Sequence, residues 1–302
     1  MLSSISVRTK IQYTSSFKQW WLYCSDRGLD PFLIEVYDLL DFLSQCLSRG
    51  SNYGTLNNHR SALSFISGNN IGQDERVKRF FRGVFKLKPS FPRYNCTWNP
   101  NIVLNYLSDL YPNENLTLEK LSKKLVMLLA LSTGQRCQTL SLIRIPNIMI
   151  NQNEVKITIT DLIKTSGIGK SQPVLDLPFF RQRPAVCPAE TLITYLNVTS
   201  SNRGHVDNKL ILTFKKPFHA ASPQTIGRWI KQTLTASGID TAIFCAHSTR
   251  HASSSAAHQA GISVDVIRRT AGWSDQSAIF ANFYNRPFTE SNCEFANAVL
   301  NQ

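Results

Sequence analysis

Six side chains between residues 136 and 284 could together hold and attack a phosphate ester. Arg136 follows a glycine turn in Ser132-Thr133-Gly134-Gln135-Arg136-Cys137-Gln138-Thr139-Leu140. Just inside a helix N-terminus, it would add a fork of donors to free backbone N–H groups. Lys164 leaves the first strand of a predicted hairpin, and Lys170 stands near the start of the second. A lysine on a mobile hairpin can follow a substrate oxygen and hand it a proton. His247-Ser248-Thr249-Arg250-His251 sets an imidazole and a guanidinium three residues apart, on one face of a helix. The first can titrate near neutral pH, and the second keeps its charge. Last come Trp273, in Ala271-Gly272-Trp273, and Tyr284, in Phe283-Tyr284-Asn285-Arg286-Pro287. Alone, each is an ordinary residue: a surface arginine, a solvated turn lysine, a core tryptophan or tyrosine. His247 and His251 also have the spacing of a zinc pair. The glutamate of an HExxH motif is absent, since Ser248 stands in its place, and no carboxylate lies close by. No metal and no other cofactor is expected.

Such residues need a scaffold. Helical periodicity predicts a bundle over residues 1–86, with helices near 10–24, 36–47, 55–66 and 75–85. Phe17, Trp20, Trp21 and Cys24 would form the inner face of the first. The fourth places Val77, Phe80, Phe81, Val84 and Phe85 on one stripe. Its other side carries Arg76, Lys78, Arg79, Arg82 and Lys86, and the positive charge continues through Lys88 and Arg93. With Arg60 and Lys170, the arginines of that helix and Lys86, Lys88 and Arg93 are the candidate DNA contacts; a merely solvated face is the alternative. Residues 87–98, basic and punctuated by Pro89 and Pro92, read as an interdomain linker. The second domain, 99–302, opens with helices over 101–110 and 121–131. Short β-branched runs at 155–159 and 174–177 then predict a hairpin around a glycine-containing turn. The remainder is helical, with stops at Gly261, Gly272 and Pro287. The fold class is thus mainly α with a small β component, α+β.

In this order, the set resembles the tyrosine recombinase family, the phage-integrase-like enzymes. That family uses Arg, Lys, His-x-x-Arg, His or Trp, and Tyr within a C-terminal catalytic domain. Arg136, Lys164, His247, Arg250, Trp273 and Tyr284 are separated by 28, 83, 3, 23 and 11 positions, which the family tolerates. The resemblance implies a helical core-binding bundle followed by a catalytic domain, together a C-shaped clamp on double-stranded DNA. It implies a dimer on each site and a tetramer in synapsis, with residues 288–300 docking on a neighbouring subunit. Tyr284 would attack a phosphodiester to give a 3′-phosphotyrosyl bond. Arg136, Arg250 and Trp273 would bind the nonbridging oxygens, His247 would take the phenolic proton, and Lys164 would protonate the leaving 5′ oxygen. Thr139 departs from the family, whose members often carry an acid there; this touches fine geometry, not the chemistry. The Thr-Gly-Gln-Arg and Phe-Tyr-Asn-Arg-Pro wording is most similar to recombinases of eukaryotic mobile elements, the Crypton and DIRS types. Such an element would place the protein in the nucleus.

Composition agrees with an anionic partner. Lys and Arg outnumber Asp and Glu by 33 to 20, a net charge of +13. The longest apolar run, 125–131, is too short for a bilayer, so no membrane partner is expected. Seven cysteines, odd in number and never in a CxxC pair, read as reduced thiols. The first 25 residues lack acids, as transit peptides do, but their aromatic spacing suits a folded helix better. Rival readings are a type IB topoisomerase-like enzyme, which relaxes DNA without exchanging partners, and a domesticated DNA-binding descendant. A zinc hydrolase is the outsider.

Overall fold

The computed structural model describes residues 4–67, 70–91, 93–203, 208–273, 285–288 and 300. The chain divides into two compact units, Met1–Arg93 and Tyr94–Gln302.

The first unit holds α1 (Val7–Ser25), α2 (Val36–Ser48), α3 (Tyr53–Ile66) and α4 (Glu75–Leu87). Side-chain caps start three of them: Ser6 accepts from the Thr9 N–H, Asn52 from Thr55 and Asp74 from Arg76. The core gathers Trp20, Leu39, Phe42, Leu43, Leu56, Leu63, Val77 and Phe81. On α1 the buried face is Ser16, Trp20, Tyr23 and Cys24, so Trp21 falls outside it and is 58% exposed. Trp21 was expected inside; Tyr23 takes that place and donates from its hydroxyl to Asp41 at 2.7 Å. Phe85 likewise lies at the edge of the α4 stripe and is exposed, while Val77, Phe81 and Val84 are buried.

The second unit runs α5 (Pro100–Ser108), α6 (Leu118–Thr133), α7 (Cys137–Ser141), β1 (Ile148–Ile150), β2 (Glu154–Thr158), β3 (Val174–Pro178), α8 (Pro188–Thr199), α9 (Pro223–Ala236), α10 (Ser248–Gln259) and α11 (Val264–Ala271). α6 is the central element. Residues 125–130 are buried all round, packed between α8, α9, α10 and β3. The sheet is antiparallel in the order β1-β2-β3, and Val155 pairs with Leu177 and Ile157 with Leu175 to face the core. β1 was not foreseen: it has three residues, two of them exposed, too few for an alternating pattern to show. Tyr94 and Trp98, expected in a linker, are core residues. The Tyr94 ring stacks on Phe244 at 5.6 Å, and Trp98 Nε1 donates to Ser248 Oγ at 2.9 Å. Two buried aromatics anchor that segment although prolines precede it.

Lys124, on α6, is fully buried. Its Nζ donates to the Leu110 carbonyl at 2.5 Å and to Asn113 Oδ1 at 2.8 Å. Burial pushes its pKa from 10.5 down to about 8, and Glu114 only partly offsets this. Between those values the unfolded chain keeps a proton that the folded chain has released. Stability from this group therefore rises with pH across the window and is lost as pH falls through about 8, with a slope of up to ~1.4 kcal/mol per pH unit. Lys124→Met should flatten the pH dependence of thermal unfolding between roughly pH 8 and 10.5. An unchanged slope would assign that dependence to other groups.

Candidate active site

Two glycine turns meet in the second unit. Gly134 ends α6 and Gly272 ends α11, both left-handed, at φ +58° and +66°. A Cβ on Gly134 would lie 3.4 Å from Ala271 Cβ, so the turn before Arg136 presses against the helix end before Trp273. Two side chains join them. Gln135, buried, donates from Nε2 to the Thr270 carbonyl at 2.7 Å. Arg250, 1% exposed, donates from Nη1 to the Gly134 carbonyl at 2.5 Å and from Nη2 to the Ala271 carbonyl at 3.0 Å. Its guanidinium also lies over the Trp273 ring, 4.9 Å from the centroid. Arg250 and Trp273 are thus brought together, beside the turn that leads to Arg136. Small residues permit this close approach, since α10 reads Ser-Thr-Arg-His-Ala-Ser-Ser-Ser-Ala-Ala-His-Gln.

Arg136 is half-buried and sits at the N-cap of α7, not inside a helix as expected. With five residues, α7 offers little aligned dipole, so an anion held here would depend on the guanidinium itself. Thr139, at the position often acidic in relatives, is buried in that helix.

His247 is the N-cap of α10 and has one open face. Crowding on its other side is the first cause that holds its pKa down, to about 4; positive charge from Arg250, Arg136 and Lys164 adds to it. Four of the candidate residues thus share one electrostatic neighbourhood. Among the described residues, no carboxylate contributes to that shift. The imidazole is therefore neutral, and a proton acceptor, across the physiological range. His251 turns inward: its ring meets Tyr94 edge-on at 5.2 Å and His247 at 5.8 Å. Among the described residues, no group of His, Cys, Asp or Glu is placed to hold a metal ion.

Lys164 does not leave a strand. β2 ends at Thr158, and Lys164 lies in a turn of the long loop to β3. That loop is fastened rather than free. Asp161 accepts from Arg144 Nε at 2.7 Å, from Arg144 Nη2 at 2.9 Å and from Lys209 Nζ at 3.0 Å. Ile163 is buried, and its N–H donates to Ser166 Oγ at 2.9 Å. Lys170 is exposed farther along the loop and has no part in the His247 environment. The exposed Lys164, by contrast, does.

The other candidate DNA contacts are spread over the first unit. Arg79, Arg82 and Lys86 are exposed along α4, opposite its buried stripe, and Lys88 and Arg93 are exposed beyond it. Arg76 is engaged: it forms a two-point pair with Asp74 at 2.9 and 3.0 Å. Arg60 stacks on the Phe81 ring, its guanidinium 4.7 Å from the centroid. Tyr284 lies outside the described residues. The chain just beyond it is tied down, with the Arg286 N–H donating to Ser255 Oγ on α10 at 3.0 Å and Pro287 accepting from the Thr97 N–H at 2.9 Å. Phe288, the first residue of the segment expected to dock on a neighbouring subunit, bridges to Thr97 of its own chain. Residues 289–299 of that segment lie outside the described residues. Gln135, Asp161 and Ser255 were not foreseen. Nothing in the sequence marks them, because each acts on a residue far away in the chain.

Solved structures share this fold. The Tn1549 transposon integrase in complex with transposon right end DNA gives a TM-score of 0.63 at 16% identity, over 99% of this chain and 95% of that one. XerH site-specific recombinase, in a post-cleavage complex with palindromic difH substrate, gives 0.60 at 17%, over 89% and 73%. A lambda integrase tetramer bound to a Holliday junction gives 0.56 at 18%, over 92% and 75%. No curated protein sequence matches the chain. The fold is that of a tyrosine recombinase catalytic domain. Residues 105–290 match the phage integrase family, and the chain belongs to that family.

Proposed function

We propose that this protein is a site-specific recombinase that integrates or excises a mobile element, one of the eukaryotic Crypton or DIRS kind, and works in the nucleus. One observation carries the site assignment: the Arg250 guanidinium bonds the carbonyls of Gly134 and Ala271 and lies over the Trp273 ring, which gathers Arg250, Trp273 and the turn leading to Arg136 in one place, with His247 three residues before Arg250. Such a cluster is suited to a phosphodiester, whose attack builds negative charge on the nonbridging oxygens. Arg136 and Arg250 bind those oxygens, with Trp273 alongside. The Tyr284 hydroxyl attacks phosphorus as His247 accepts its proton. The bond to the 5′ oxygen breaks, and that oxygen takes a proton from Lys164. A 3′-phosphotyrosyl bond remains, and a second 5′ hydroxyl reverses the step on a new partner. The transposon end and Holliday junction named for the relatives above support double-stranded DNA as the partner, bound by a dimer on each site and a tetramer in synapsis. A nicked suicide duplex of the element's end tests the reading. The protein should form a covalent adduct in EDTA, mapped to the peptide with Tyr284, and no adduct on such ends would refute it.

On α4, Arg79, Arg82 and Lys86 would contact backbone phosphates. Neutralising the three should weaken binding to specific and unrelated duplexes alike and lower the slope of log K against log salt by roughly 2–3, from counterion release. Arg76→Ala should change the slope little, because Asp74 already takes up its charge. A slope unaltered by the triple change would make this face merely solvated.

A further inference from the structure

Resting on the reading of Lys164 as general acid, we propose that Asp161 is a positioning residue that sets this lysine against the leaving 5′ oxygen. The two lie three residues apart. Asp161 is the one carboxylate of the loop from β2 to β3. It ties the loop to Arg144 by two parallel hydrogen bonds and to Lys209 by a third. Arg144 follows closely on α7, the helix that Arg136 caps, and its backbone bridges to Lys209. One carboxylate therefore fixes the distance between the segment that carries Arg136 and the loop that carries Lys164. The carboxyl is held well below the usual range by Arg144, with Lys209 helping, so the clamp stays charged wherever the enzyme works. The next support is the buried Ile163, and the Ser166 hydroxyl closes the turn on the far side of Lys164 by accepting from the Ile163 N–H. Lys164 is left exposed between the buried Ile163 and Ser166, whose hydroxyl holds the Ile163 N–H. A purely structural ion pair could sit anywhere on the surface; this one lies three residues from the lysine whose charge reaches His247.

The leaving group provides the test. A bridging 5′-phosphorothiolate departs as a thiolate and needs no proton, so it removes only the demand on a general acid. Single-turnover cleavage by the full-length protein should fall about 10- to 100-fold in Asp161→Asn on the oxygen substrate, a part of the effect of losing a general acid. It should return to within a few-fold of wild type on the sulfur substrate, as for Lys164→Ala, whereas Arg136→Ala should stay slow on both. Asp161→Glu should retain part of the oxygen rate. If Lys164→Ala is rescued but Asp161→Asn is equally slow on both substrates, or normal on both, the positioning role is overturned while the general-acid reading stands. If Lys164→Ala is not rescued, the general-acid reading falls and the inference with it. Should Asp161→Asn fail to fold, Lys209→Gln removes one partner of the clamp and is read in the same way.

Discussion

Tyr284→Phe is expected to leave the protein folded and able to bind its DNA, while no covalent adduct forms on the suicide duplex. Only the attacking oxygen is lost. Phenylalanine keeps the ring, and with it whatever packing the side chain provides. Removing a nucleophile outright costs on the order of 10⁴-fold or more in rate, because no remaining group can make the same bond. The nearest competitor by chemistry is Cys137, next to Arg136. Burial raises its thiol pKa, which leaves little thiolate to attack. The variant should therefore retain the wild-type salt dependence of binding and show no adduct by denaturing electrophoresis. Adduct at the wild-type level would mean that another residue attacks, and peptide mapping would identify it.

What could be read from the sequence, and what could not, divides along a physical line. Arg136, His247, Arg250, Trp273 and Tyr284 stand out in the sequence because the proposed chemistry asks for those residue types in that order. The helices of the first unit are visible because each buries one face, so Leu39, Phe42 and Leu43 repeat at helical spacing. α6 gives no such stripe, since it is buried on every side, and only its uninterrupted apolar run betrays it. Arg136 was expected inside a helix, but the chain needs an extended residue after the left-handed Gly134 and starts α7 one position later. The strand ends well before Lys164: the apolar alternation of Val155, Ile157 and Ile159 breaks at Asp161, whose carboxylate is drawn to Arg144, and the ladder stops at Thr158. Tertiary pairs of this kind leave no local trace. The bonds of Gln135 to Thr270 and of Arg286 to Ser255 span 135 and 31 residues.

The two arginines should part company when each is replaced by alanine. Both would lose a preorganised donor to the nonbridging oxygens, so cleavage should slow by roughly 10²-fold or more in each. Their places in the fold differ. Arg136 is half-buried, and no described group accepts a hydrogen bond from its side chain; truncating it should leave the melting temperature nearly unchanged. Arg250 is enclosed and bonded to the carbonyls of Gly134 and Ala271, the two turns that carry Arg136 and Trp273. Truncating it strands two buried carbonyls and opens a space beside the indole. An unsatisfied buried acceptor costs about 1–3 kcal/mol, so Arg250→Ala should destabilise the second unit by about 2–5 kcal/mol. Arg250→Lys keeps the charge, but a single ammonium cannot replace a planar fork that reaches both turns, so most of that loss should remain. Arg136→Lys has no such pair of carbonyls to serve and should recover part of the activity. Calorimetry beside single-turnover cleavage on the four variants separates the roles. Equal loss of stability at both positions would show that Arg250 does not hold the two turns together.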